Sequence, residues 1–286
     1  MSVNATPRPV SLCSAAERTG FARNATVTET TVREVNPHAT DEALQHFEAR
    51  GWVALDVLPR STRALLASWA DEVAVLPESD GALQHREQTD TGPQLCRSEH
   101  FVELHAGLRE LLTSGALLDT ASALLGEPAV LYKEKINHKL PGGAGYSAHQ
   151  DAPAYPMIAS HVSAMIAIDD ADAENGGIEI VSGCFDRILP TDDRGCIDPS
   201  VEASLEWEPV SLPAGATLWF HSRTPHRSSP NRSARPRRAL YPTYNAAREG
   251  DRRAEYYAAK AAAFAAATPG DRAQVSLIGD FEGRPA

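Results

Sequence analysis

The chain has 286 residues, enough to bury a large core in one elaborated domain or two modest ones. Its formal net charge of −11 and pI near 5.4 argue against nucleic acid or an anionic membrane surface as partner, because both require a basic footprint. No apolar run approaches the roughly 18 residues of a membrane span, and MSVNATPRPV lacks a secretory apolar region, so a cytoplasmic protein with a small-molecule partner is expected.

Residues 1–36 mix Thr, Ser, Asn, Pro and Arg without apolar periodicity, which predicts a flexible N-terminal arm or an added edge element. The remainder, 37–286, is expected to form a single domain. Helical additions over 37–128 begin at Thr40-Asp41-Glu42, where Leu44, Phe47 and Ala49 share a side and Gly51 supplies a C-cap. WVALDV predicts a strand, and Leu65, Leu66, Trp69, Val73 and Leu76 recur at helical spacing. The polar stretch 77–98 reads as a long loop, a length common among lids. Two helices follow, near 101–114 and 116–125.

From Ala129 the character changes to short runs rich in Val, Ile, Leu and Tyr between Gly, Pro, Asn and Asp clusters, the pattern of a β sandwich or barrel. Strands are expected near 129–139, 145–150, 161–168, 177–181, 207–211, 216–221, 224–228 and 237–245, forming a core over 129–245. A C-terminal Ala-rich helix and a polar tail occupy 246–286. The four cysteines, Cys13, Cys96, Cys184 and Cys196, show no Cys-x-x-Cys spacing and read as free thiols.

The chemistry-bearing stretch is KEKINHKLPGGAGYSAHQDAPAY, Lys133 to Tyr155. His149 and Asp151 stand at i and i+2, which in an extended segment places an imidazole and a carboxylate on one face. A third ligand is needed, and His221 and His226 are the candidates in LWFHSRTPHRSSP. Two histidines and one carboxylate leave coordination positions open, as in non-haem Fe(II) oxygenases. Lys133, Lys135, Asn137 and Lys139 alternate on one strand face, either a solvated outer face or an inward one that reads acidic groups.

The segment 129–245 resembles the phytanoyl-CoA dioxygenase family of Fe(II)/2-oxoglutarate oxygenases, ectoine hydroxylases included. The resemblance rests on H-Q-D, on N-G-G-I-E-I-V-S-G and on H-R-S-S-P-N-R-S-x-R-P-R-R. It implies a mainly β fold with a double-stranded β-helix (jelly roll, cupin-like) core, and iron held by His149, Asp151 and His226. It further implies that Arg237, Ser228, Asn137 and Ser163 contact 2-oxoglutarate, with O2 as the other cosubstrate. Lys135, Tyr146 and Tyr155 are the candidates for substrate contact, and His138 and His161 read as satisfied structural histidines. The expected reaction is oxidation, foremost hydroxylation, of a small anionic or zwitterionic metabolite, with succinate and CO2 as coproducts. A tailoring oxygenase acting on a natural-product scaffold is the runner-up. From other classes, a zinc hydrolase and a catalytically dead jelly-roll binding module remain.

Overall fold

The computed structural model describes residues 40–266 and 275–286 and the backbone of Arg33–Glu34. In chain order the elements are β1 (Arg33–Glu34), α1 (Asp41–Arg50), β2 (Trp52–Asp56), α2 (Arg60–Arg63), α3 (Leu66–Ala74), β3 (Leu83–Thr89), β4 (Gly92–Glu99), α4 (Ala106–Thr113) and α5 (Gly115–Leu125). There follow β5 (Ala129–Lys139), β6 (Tyr146–His149), β7 (His161–Ala167), β8 (Ile178–Ile180), α6 (Pro199–Glu202), β9 (Glu208–Val210), β10 (Thr217–His221), β11 (His226–Ser228), β12 (Arg237–Ala246) and α7 (Arg253–Ala266).

The strands form two sheets, one of eight in the order β1-β2-β10-β7-β12-β5-β4-β3 and one of four in the order β6-β11-β8-β9. Among the described residues every pairing is antiparallel except the short β1–β2 contact. The architecture is therefore a mixed fold, with extensive antiparallel sheet and several helices. Strand alternation sorts the core into two layers. On β10, Trp219 joins Phe47, Leu55, Leu66, Val73, Leu108, Leu112 and Leu117 between the large sheet and the helices. Its neighbours Leu218 and Phe220 face the opposite way and join Trp52, Met165, Ile178, Ile180 and Val210 between the two sheets.

Local chemistry explains the helix ends. Thr40 accepts from the Ala43 N–H at 3.3 Å and opens α1. Gly51 closes it at φ 81°, where a Cβ would also lie 2.5 Å from Phe185.

Two expectations are corrected. The stretch 77–98 is not a loop but carries the hairpin β3–β4, which extends the large sheet beyond β5. Its strands, LQHREQT and GPQLCRSE, have too few apolar residues to announce themselves, because β3 is an edge strand and needs no buried face on both sides. The polar tail is docked as well. Ser147 donates its N–H to the Asp280 carbonyl at 2.7 Å, Glu282 to Gly145 at 3.1 Å and Ala286 to Arg86 at 3.0 Å. Finally, Cys184 is disulfide-bonded rather than free, whereas Cys96 and Cys196 are free and buried. Cys13 and, apart from the Arg33–Glu34 backbone, the arm expected over 1–36 lie outside the described residues.

Two ion pairs bind α7 onto the sheet. Lys260 donates to Glu99 of β4 at 2.6 Å, both about 1 % exposed, and Arg253 pairs with Glu134 of β5. Among the described residues no helix is long and apolar enough to cross a membrane.

Candidate metal centre and its cleft

His149 ends β6 and His226 begins β11, and the two are partners in the ladder, their ring centroids 4.2 Å apart. Each ring is turned by its own backbone: His149 Nδ1 lies 2.7 Å from the Ser147 carbonyl and His226 Nδ1 lies 3.0 Å from the Thr224 carbonyl. A carbonyl can only accept, so both Nδ1 atoms carry the proton and both Nε2 lone pairs are free to bind a metal.

Asp151 reaches the same place by a different route from the one strand alternation predicts. The strand stops at His149, and Asp151 adopts helical φ −68° and ψ −32° at the entry to a 3-10 turn over Ala152–Ala154. Gln150 anchors that turn, donating to the Arg187 carbonyl at 3.0 Å and accepting from Leu189 N–H at 2.8 Å. Ligand atoms of His149, Asp151 and His226 all lie within 4.8 Å of one another, and all three residues are buried.

The protonation states suit a cation. Burial works to raise the Asp151 carboxyl, but its neighbours His226, Lys135, Lys133 and His149 outweigh it and hold Asp151 below the ordinary carboxylate range. Burial, then the neighbouring His149, pushes His226 down to about 4. An anionic carboxylate and a neutral imidazole are the ligating forms. His221, the other candidate, is elsewhere: its Nδ1 accepts from Arg223 N–H at 3.1 Å and its ring packs 5.3 Å from Phe185. The donor set therefore fits Fe(II), with two imidazoles and a carboxylate on one side of an open cleft.

A cleft opens on the triad. It is lined by Asn137, Tyr146, Ser163, Ser228, Tyr241 and Thr243, among others. Arg237 lies behind this wall, 1 % exposed, donating to the Gly176 carbonyl at 2.8 Å and to the Tyr241 hydroxyl at 3.2 Å. Its Nε has no partner, and it forms no ion pair among the described residues. Beside it Lys139 donates to Ser228 Oγ at 2.8 Å and to the Ser229 carbonyl at 2.6 Å. Ser163 donates to Asp151 Oδ2 at 2.9 Å, and Asn137 accepts from Arg97 Nε at 3.0 Å, which leaves the Asn137 amide N–H groups for the cleft.

The alternating face of β5 points inward. Lys133, Lys135 and Asn137 line the cleft, which decides against the solvated reading. Lys133 is 3 % exposed, with its ammonium 4.4 Å from the Tyr155 ring centre, and Lys135 lies 5.3 Å from that of Tyr241. Neither ammonium makes a hydrogen bond or ion pair among the described residues. Burial lowers Lys133 to about 8, and burial together with Arg97 and Lys133 lowers Lys135 well below the ordinary lysine value.

A second chamber shares Lys133, Lys135, His149, Asp151 and Asp280 and adds Arg97, Tyr155, Tyr256 and Lys260. Tyr146 thus borders the first chamber and Tyr155 the second.

The sequence reading missed Arg97, Lys260, Tyr256 and Asp280. All come from the hairpin, α7 and the tail, segments it took as loop or addition; the alternation of Arg97 and Glu99 was the available signal for the first. It also took His161 as satisfied, but both of its ring nitrogens are buried without a partner.

Comparison with known proteins agrees with this geometry. The chain is 45 % identical over 257 residues to the methylphosphonate hydroxylase of Gimesia maris, covering 88 % of this chain and 99 % of that one. It is 35 % identical over 225 residues to the 2-aminoethylphosphonate dioxygenase of an uncultured bacterium, HF130_AEPn_1, covering 76 % and 86 %. The crystal structure of EctD from S. alaskensis with 2-oxoglutarate and 5-hydroxyectoine superposes with a TM-score of 0.62 at 16 % identity, covering 77 % of this chain and 81 % of that one, a likeness of fold alone. The phytanoyl-CoA dioxygenase (PhyH) family model matches residues 11–239, and with its triad of two histidines and one aspartate the chain belongs to that family of Fe(II)/2-oxoglutarate-dependent oxygenases.

Proposed function

We propose that this enzyme hydroxylates a short-chain phosphonate, with Fe(II) on His149, Asp151 and His226. The observation that carries the substrate reading is the pair of unpaired ammonium groups, Lys133 and Lys135, in the same cleft as the triad. Buried cations without partners are unfavourable unless a ligand supplies the anion. A phosphonate supplies up to two charges on three acceptor oxygens and matches that wall. The named activities of the relatives from Gimesia maris and the uncultured bacterium, both on phosphonates, agree.

The first chamber is assigned to 2-oxoglutarate. Arg237, bonded to Tyr241 and with its Nε unpartnered, would neutralise the carboxylate remote from the metal, and Lys139 would hold the Ser228 hydroxyl toward it. Asn137, fixed by Arg97, would donate to the same molecule, and Ser163 would orient Asp151. Tyr146 would close the first chamber, while Lys135 and Tyr155 would contact the substrate. Fe(II), when bound there, couples decarboxylation of 2-oxoglutarate with O2 to oxidation of a substrate carbon. Phe220 and Ile178 line the same cleft and exclude water from it.

The two facing sheets are read as the halves of a double-stranded β-helix, and 37–286 as one catalytic domain. The likeness to EctD supports the first reading. The ion pairs that tie α7 to β4 and β5 support the second. Cytoplasmic residence belongs to the same proposal. The charged lining argues for a small polar metabolite over a hydrophobic natural-product scaffold.

The test is to incubate metal-free protein with Fe(II), ascorbate and 2-oxoglutarate and to measure succinate with methylphosphonate, 2-aminoethylphosphonate or L-proline. Iron-dependent succinate matched by a hydroxylated phosphonate is expected. Turnover with Zn(II) and no 2-oxoglutarate would point to hydrolysis, and no succinate under any condition to a dead binding module.

A further inference from the structure

Asp280 belongs to the C-terminal segment, yet it borders both chambers. It is 3 % exposed, its Oδ2 stands 3.5 Å from His149 Nε2, and its Oδ1 has no hydrogen-bond partner. The backbone on either side is fastened: Gly279 donates to the Arg194 carbonyl at 2.8 Å, Ser147 to the Asp280 carbonyl at 2.7 Å, and Glu282 to Gly145 at 3.1 Å. The carboxylate is thus positioned rather than trailing.

Arg97, Lys133 and Lys135 border the same chamber, and Asp280 forms an ion pair with none of them; Arg97 is paired with Glu99, whereas Lys133 and Lys135 form no ion pair among the described residues. A buried carboxylate with an orphaned oxygen needs a donor. Two cations without ion pairs and one carboxylate with an orphaned oxygen, in one chamber, match a ligand with an anionic end and a donating, cationic end. A plain alkylphosphonate satisfies only the cations and leaves Asp280 buried without a partner.

We propose that Asp280 binds the ammonium group of a zwitterionic substrate, so that the chamber selects short aminoalkylphosphonates over alkylphosphonates of the same length. This rests on the phosphonate reading above. Lys133 and Lys135 hold the phosphonate, and Asp280 holds the amine close to the metal-binding edge of His149.

The experiment compares 2-aminoethylphosphonate with ethylphosphonate. Product formation gives kcat/KM, and anaerobic calorimetry on the protein loaded with Fe(II) and 2-oxoglutarate gives Kd. The wild-type enzyme is expected to favour the aminophosphonate by about 30-fold or more, the scale of a charged hydrogen bond left unmade in a buried site. Asp280→Asn should collapse that ratio to within about 3-fold, chiefly through KM and Kd of the aminophosphonate. Asp280→Glu, which keeps the charge, should retain a preference. Equal wild-type efficiency with both compounds overturns the assignment without any variant. So does an equal loss on both in Asp280→Asn, which would make the residue a support for His149. Turnover of neither compound overturns the phosphonate reading itself, and this proposal with it.

Discussion

The hydroxyl of Ser163 on β7 donates to Oδ2 of Asp151 at 2.9 Å, so the carboxylate facing the two histidines is oriented from a different strand than the one that carries His149. Thr243 of β12 lies 3.0 Å from the same hydroxyl and holds it in turn. Partners of this kind set metal affinity through the angle of the ligand. Ser163→Ala is expected to weaken Fe(II) binding about 10-fold or more, read by anaerobic titration of the metal-free protein. An unchanged affinity would show that Asp151 needs no such support.

Lys135 lies between the two chambers and makes no ion pair among the described residues. Lys135→Ala should raise the KM for the phosphonate by about 10- to 100-fold and leave that for 2-oxoglutarate within about 2-fold. Steady-state kinetics with each substrate varied separately checks this, and parallel losses in both would place Lys135 on the wrong ligand.

Arg237 is buried with its Nε unpartnered. Arg237→Gln should raise the 2-oxoglutarate KM by about 10- to 100-fold, and Arg237→Lys should recover only part, because an ammonium does not present the planar fork. The KM for the phosphonate should move little. Unaltered binding of 2-oxoglutarate in Arg237→Gln would remove this residue from the site.

Lys133 yields a pH dependence. Its folded pKa, about 8, lies below the roughly 10.4 of an unfolded chain. Between these values the unfolded state holds more protons, so this group makes stability rise with pH across that window, and its penalty is fully present below pH 8. Its surroundings are Glu99 and Arg97 from β4, Lys260 and Tyr256 from α7, and Asp151 and Tyr155 from the segment after β6. Phosphonate capture should decline as pH rises above about 8. Lys133→Met should raise Tm at pH 7 by about 3 °C, since removing a buried unpaired charge stabilises, while weakening substrate binding. Thermal scans at pH 7 and pH 10 check the sign, since the gain should shrink at the higher pH.

The Lys260–Glu99 pair, 2.6 Å apart and buried on both sides, joins α7 to β4. Lys260→Ala leaves Glu99 buried with only Arg97 and His85 within ion-pair range and should cost about 3–5 kcal/mol, measured by chemical denaturation. A loss below about 1 kcal/mol, the scale of a surface pair, would mean that water reaches Glu99.

Much of this protein could be read from its residues in order. The helix over 41–50 with its Gly51 cap follows from local signals, as do nine of the strands from β2 onward, because capping and strand alternation act over a few residues. His149, Asp151 and His226 were legible because their types and spacing match a recurring motif. The reason assigned to the first pair was wrong in detail: the turn at Gln150 and Asp151, not strand alternation, brings the carboxylate round.

Other features were settled by residues far apart in the chain. Whether Lys133 and Lys135 face water or the cleft depends on the phase of β5 relative to both sheets, since either face of an alternating strand can be buried. The motif already favoured His226 over His221, and the β11–β6 pairing that sets His226 opposite His149 is the physical reason for that choice. Arg97, Lys260 and Asp280 come from a polar hairpin, an Ala-rich helix and a tail, whose compositions announce no site. They converge because buried charges must find one another, and that pairing is a property of the folded chain. The sequence by itself determined the strand core and the metal-ligand residues, through short-range periodicity and motif. Tertiary structure alone decided the charged chamber beside them, where distant side chains share one desolvated space.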